Sequence, residues 1–161
     1  MCITTITKTY EPALPVPFIC YKAFHLTQSN KLKGIYNSEY YEMKKTYKAK
    51  ELHSDETYGM ARKGNYFGFH AFLKENAALE WAKLHSRPYK AFVIVKCEMN
   101  QIIVEGTERI KYVYRILSNH NSIVEESLYE KDEVVLAAKE IKLIEITITQ
   151  KFTERKKKWN Q

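Results

Sequence analysis

The side chain best placed to do chemistry in this sequence is His70, in "GFHAF" (Gly68–Phe72), where an aromatic strand runs directly into a short helix. Neighbouring side chains on a strand point to opposite faces, so His70 shares a face with Gly68 and Phe72 and opposes Phe69 and Ala71. Beside the open first turn of the next helix, whose N–H groups suit an anion, such an imidazole could hold a ligand or carry a proton. The same position equally suits a half-buried histidine that satisfies a carbonyl and anchors the junction. Glu98 in "VKCEM" and Glu105 in "IVEGTE" are strand-borne carboxylates. In an enzyme Glu98 would be the acid–base companion of His70, while solvated alternation accounts for both glutamates as well.

The remaining histidines, His25, His53, His85 and His120, stand at no metal-ligand spacing, and Cys2, Cys20 and Cys97 form no C-x-x-C pair, so no metal site is expected. Cys20 and Cys97 lie in apolar runs and read as buried free thiols. Cys2 would become an N-terminal nucleophile only if Met1 were removed. The five glycines make no phosphate-binding fingerprint and no nucleophile elbow appears, so no cofactor is expected.

Recognition has a better candidate than catalysis. Residues 35–66 hold Tyr36, Tyr40, Tyr41, Tyr47, Tyr58 and Tyr66, half of the twelve tyrosines, interleaved with Lys44, Lys45, Lys48 and Lys50. Tyrosine offers a rigid surface with a polar tip and can stack on bases, so the stretch suits an interface. An aromatic mini-core under a long loop is the competing reading. The formal charge of +7 is concentrated at the end of the chain, where Lys151, Arg155, Lys156, Lys157 and Lys158 face one acid, Glu154. The rest of the chain carries 21 basic and 18 acidic residues, too nearly neutral for a broad phosphate-binding face. That basic tail could touch phosphate or an acidic partner.

These residues must be positioned by a single domain, for which 161 residues suffice. Residues 1–17 alternate Thr and Ile and then meet Pro12, Pro15 and Pro17, so they form an N-terminal arm or edge element. Residues 18–150 form the domain and 151–161 the basic tail. "FICYKAFHL" has strand composition, Asn30–Gly34 reads as a turn, and residues 35–66 should give one or two short strands and a loop ending at Gly64. Ala77, Ala78, Trp81, Ala82 and Leu84 recur at helical spacing, giving a helix over about 75–85 that stops before Arg87-Pro88. "YKAFVIVKCEM" and "QIIVEGT" are strands with a turn at Gly106. "IKYVYRIL", a polar loop "SNHNS" and "EVVLAAKEIKLIEITIT" follow. The expected fold class is α+β: a mostly antiparallel sheet of about five to seven strands with one helix packed on it. No apolar run spans a bilayer and no signal-like start is present, so the chain is expected to be cytoplasmic, in a host cell.

The residues "MCI" (1–3), "YKAF" (21–24), "GFHAF" with "NAALEWA" behind it, "VIVKCEM" followed by "IIVEGTE", and "LAAKEIKLIEI" (136–146) occur in an order that resembles a loose group of small proteins encoded by bacteriophages and other mobile elements. The resemblance covers residues 18 to 146 and implies a viral or prophage setting. It carries over no catalytic residue. A weaker similarity, to ADP-ribosyltransferase-like folds, rests on the succession of aromatic strand, short helix and "V-x-V" strand. Those enzymes need Arg, Ser-Thr-Ser and Glu, or His, Tyr and Glu. Here the only assignment would combine His25 or His70 with a tyrosine and Glu98 or Glu140. The expectation is therefore a binding protein, a counter-defence inhibitor that occupies a host defence protein or its nucleic-acid or nucleotide ligand, with no membrane partner. An ADP-ribosyltransferase-like enzyme and a virion structural or assembly component are the alternatives.

Overall fold

The computed structural model describes residues 3–35, 39–49, 68–86 and 90–151. The strands are β1 (Thr5–Leu14), β2 (Phe18–Leu26), β3 (Leu32–Gly34), β4 (Tyr40–Tyr41), β5 (Thr46–Lys48) and β6 (Phe69–Phe72), followed by helix α1 (Glu75–His85) and the long strands β7 (Phe92–Leu117) and β8 (Ile123–Gln150). The fold is α+β, with mostly antiparallel pairing. The sheet holds eight strands, because β3, β4 and β5, each two or three residues long, join it.

The strand order is β1-β7-β8-β6-β2-β3-β4, with β5 also on β8 and β2 also on β7. These pairings close a circuit: β2 lies on β7, β7 on β8, β8 on β6, and β6 returns to β2 through the pair Tyr21 and Phe72. The sheet therefore curls on itself and buries both of its faces. One face gathers Cys20, Phe24, Tyr41, Val95, Cys97, Met99 and Leu143. The other gathers Ala23, Phe72, Ile94, Val104 and Val135 under the apolar stripe of α1, Ala77, Ala78, Trp81 and Ala82. The helix forms where helical spacing predicts, with Glu75 in its first turn and Lys83 and His85 in its last, complementing its dipole.

Two turns expected from sequence lie elsewhere. Residues 32–34 form strand β3, and the reversal before them is Thr27–Asn30, closed by the Asn30 N–H donating to the Thr27 carbonyl, with Asn30 in the left-handed region at φ 59°. Gly106 is no turn at all. It sits inside β7, opposite Ile6 on one side and Val135 on the other. A methyl group there would lie 2.3 Å from Ile3 Cγ2 and 2.4 Å from the Thr5 carbonyl oxygen, so glycine allows β1 to lie close against β7. The proline-bearing start of the chain is an edge strand, as its composition requires, with an irregular register between Thr9 and Leu14 that accommodates Pro12.

Beyond residue 107 the sheet narrows to two strands. β1 pairs no further than Thr5 with Thr107, and β6 reaches only Val135 on β8. From Arg109 opposite Asp132 to Leu117 opposite Ile123, β7 and β8 pair with each other alone among the described residues. The loop "SNHNS" closes this arm: the Ser118 hydroxyl accepts from the His120 and Ser122 N–H groups, and Asn121 takes φ 60°.

Candidate functional site: an exposed basic-aromatic edge

His70 lies on β6 opposite Ala137, on the face that carries Phe72 toward α1, and is 7 % exposed. Its backbone carbonyl accepts a hydrogen bond from Lys22 Nζ at 2.7 Å. This contact explains why Lys22 stands in the middle of "YKAF". β2 and β6 share only one residue pair, and the ammonium bridges them at that seam. Burial lowers the Lys22 pKa to about 8, with the Glu108 carboxylate opposing the shift. His70 is thus built into the junction between strand and helix.

Glu98, proposed as the companion of His70, pairs with Lys142 on β8, whereas His70 pairs with Ala137. Five rungs of the ladder separate those positions, roughly 17 Å along the strand. β6 and β7 also flank β8 on opposite sides. The fold does not bring this pair together. Glu105 points elsewhere, accepting a hydrogen bond from the Tyr10 hydroxyl at 3.2 Å.

The thiols read as buried are buried, and they face each other across the β2–β7 ladder. Cys97 Sγ donates to the Cys20 carbonyl at 3.3 Å. Burial raises the Cys20 thiol to about 12 and pushes Cys97 up as well, so neither supplies a thiolate at neutral pH.

The Tyr/Lys stretch divides into two populations. Tyr41, 3 % exposed, packs in the core against Phe24, with ring centroids 5.2 Å apart, and meets Tyr47 edge-on at 5.0 Å. The Tyr47 hydroxyl accepts from the Glu42 N–H at 2.7 Å. These two rings pack β4 and β5 against the core, Tyr41 buried and Tyr47 partly so. Tyr40 is different: it is 58 % exposed, and the Lys33 ammonium lies 5.9 Å from its ring centroid. Lys44, Lys45 and Lys48 are exposed in the following turn and strand, Lys44 with φ 63°, and Lys45 pairs with Glu42. Lys31 is exposed at the start of β3. The result is an outer edge with one presented phenol ring and five lysines on β3–β5 and their connections, against Glu39 and Glu42. Tyr36, Tyr58, Tyr66 and Lys50 lie outside the described residues, as do Cys2, His53, Arg155, Lys156, Lys157 and Lys158. Lys151 is described and exposed.

Sequence reasoning missed two constellations. Under α1, the buried carboxylates Glu108 and Glu133 stand directly opposite each other on β7 and β8. Trp81 Nε1 donates to Glu108 at 2.8 Å, and Lys131 pairs with Glu133 at 3.0 Å. Tyr112 donates to Glu80, and its ring stacks on Tyr129, tying the helix to the base of the arm. The acid opposite an acid is invisible until the register of the two strands is known. Second, an open cleft of about 760 Å³ lies where β1 leaves its regular register, lined by Tyr10, Pro12, Gln101 and Lys139 among others. Gln101, in its lining, takes φ 58°, beside the register irregularity between Ile102 and Val104.

Among the described residues, no group of three or more His, Cys, Asp or Glu side chains is placed to hold a metal ion, and no helix is long and apolar enough to cross a membrane. Comparison with protein-family models, with curated proteins and with solved structures found no match.

Proposed function

We propose that this chain is a binding protein of phage or mobile-element origin, a counter-defence inhibitor that works by occupying an anionic host partner with the β3–β5 edge. The observation that supports this most directly is the exposed Tyr40 ring beside Lys33, with Lys31, Lys44, Lys45 and Lys48 exposed in the neighbouring turns and strand. A presented phenol supplies stacking area at little entropic cost, and mobile ammonium groups supply charge without fixing a sequence. That combination suits a nucleic acid, a nucleotide-like signal or an acidic protein face. Its core neighbours Tyr41 and Tyr47 hold the edge rigid, so little ordering is needed on binding.

The test is binding to host material over a salt series, with and without nuclease treatment. Affinity should fall steeply with salt, and Lys44→Ala with Lys45→Ala should reduce that slope. Tyr40→Ala should weaken binding by roughly 1–3 kcal/mol if a base stacks on the ring. Salt-independent binding that survives all three changes would remove this edge from the account.

The β7–β8 arm favours a second reading, a virion structural or assembly component. Val113, Ile116, Leu117, Ile123, Val124 and Leu128 are all exposed within that one hairpin. Soluble surfaces rarely gather so many large apolar side chains in one place without a use for them.

A further inference from the structure

The face of the arm turned away from α1 carries a pattern that suits a copy of itself. Tyr112 and Tyr129 lie on the α1 side, where Tyr112 reaches Glu80. Alternation puts Val113, Arg115 and Leu117 of β7 on the opposite face, where they pair with Leu128, Glu126 and, across a register irregularity between Ile116 and Leu117 that skips Val124, with Ile123. Along the arm this face therefore reads apolar pair, ion pair, apolar pair. The central pair is real: Arg115 Nε meets Glu126 Oε2 at 3.1 Å. All four apolar side chains are about half exposed, between 45 % and 56 %. Below them comes the Lys111–Glu130 rung, and beyond them the polar loop Ser118–Ser122.

We infer that two copies of this chain associate through these faces, the arms overlapping antiparallel about a two-fold axis that passes by Arg115 and Glu126. A two-fold contact must be self-complementary, and this pattern is. Rotation about that centre lays Val113 and Leu128 of one arm on Leu117 and Ile123 of the other. It brings the two Arg115–Glu126 pairs together, each residue over its own copy, so that each guanidinium reaches a second carboxylate only on the diagonal. It also sets the Lys111–Glu130 rung of one arm against the polar loop of the other. Overlapping in opposite directions, the arms hold the two bodies at opposite ends, clear of each other. Two-fold edge-to-edge pairing, β7 on β7 or β8 on β8, is disfavoured by charge. The free edge of β7 carries Arg109, Lys111 and Arg115 without an acid, and that of β8 carries Glu125, Glu126, Glu130 and Asp132 against Lys131, so either edge would repel its own copy. A lone two-stranded ribbon is also marginal in water, and a second layer supplies the packing that it lacks.

A contact limited to two short ribbons falls below the roughly 1,200 Å² of a standard interface, so the dimer is weak, with a dissociation constant on the order of 10–100 μM. Sedimentation velocity from about 1 to 500 μM reads it directly. The full-length protein should pass from monomer to dimer in that range, and Val113→Lys or Leu128→Lys should weaken association at least about tenfold. Both positions are exposed, so circular dichroism and the melting temperature should not change. Arg115→Glu alone should weaken the dimer, and Arg115→Glu with Glu126→Arg should restore it. Under mild oxidation, Val113→Cys mixed with Leu117→Cys should cross-link faster than either variant alone, because the antiparallel overlap juxtaposes unlike positions. A monomer throughout the range overturns the inference, whatever other molecule or stretch of this chain covers the face. A dimer indifferent to Val113→Lys and Leu128→Lys overturns it too, as does cross-linking fastest between identical positions.

Discussion

Lys22 and the two facing thiols are the residues whose protonation the fold most clearly alters, and they act in opposite directions. Burial lowers the ammonium from 10.5 to about 8, so between those values the unfolded chain holds a proton there that the folded chain has released. Stability rises with pH wherever the unfolded state binds more protons, and Lys22 alone contributes about 1–3 kcal/mol across that window. Cys20 and Cys97 do the reverse. Their thiols, near 9.0 when unfolded, are raised in the fold, so above about pH 9 the folded chain holds two protons that the unfolded chain has lost. Stability should therefore climb from pH 8, peak at about pH 9 and then decline. Urea unfolding from pH 7 to 10 measures this. Lys22→Met should flatten the climb, and Cys20→Ala with Cys97→Ala should remove the decline. The burial of both thiols is legible in "FICYKAF" and "VIVKCEM", because each sits in an apolar run. Their facing each other is not legible, since register belongs to neither strand alone. His70 was legible as part of a strand-to-helix junction. The bond from Lys22 that pins it comes from a residue 48 positions away.

Among the elements, α1 was read to the residue because helical spacing and Pro88 both mark it, whereas Gly106 misled. A glycine between "IIVE" and "TERI" looks like punctuation, and only the β1–β7 pairing shows that the missing side chain is the point. Alanine at 106 would meet the backbone oxygen of Thr5, which has no rotamer to escape by, so β1 must shift. Gly106→Ala should cost roughly 1–3 kcal/mol. Thermal unfolding gives the magnitude, and hydrogen exchange should show loss of protection along Thr5–Leu14 while β2 keeps its own. An unchanged melting temperature would mean that β1 rests on β7 more loosely than described. The Tyr/Lys stretch was legible only in part for the same kind of reason. Tyr40 and Tyr41 are adjacent, so alternation must send them to opposite faces, but which one faces the core depends on Phe24.

At the scale of the molecule, β7 and β8 each belong to two environments, and this is why their length escaped the sequence. In the body they are apolar on both faces, as at Val93–Val95 and Val135–Ala138. In the arm the charges of β7 fall on alternate residues and those of β8 come in runs, Glu125–Glu126 and Glu130–Glu133, beside scattered aliphatics, which reads as loop or edge because, among the described residues, only the base of the arm meets the helix. One continuous ladder thus joins a region with a dense core to a region with almost none. Opening free energy follows buried apolar contact, so the two halves of the same strands should differ in protection. Amides from 93 to 104 and from 134 to 143 should exchange only through global unfolding, and those from 113 to 128 through local opening several kcal/mol cheaper. Native-state hydrogen exchange resolves the two classes, and a uniform rate along β7 would contradict a free-standing arm. Concentration adds a second reading of the same measurement. If paired arms cover each other's apolar faces, protection from 113 to 128 should rise between about 1 and 500 μM by mass action, while protection in the body stays constant.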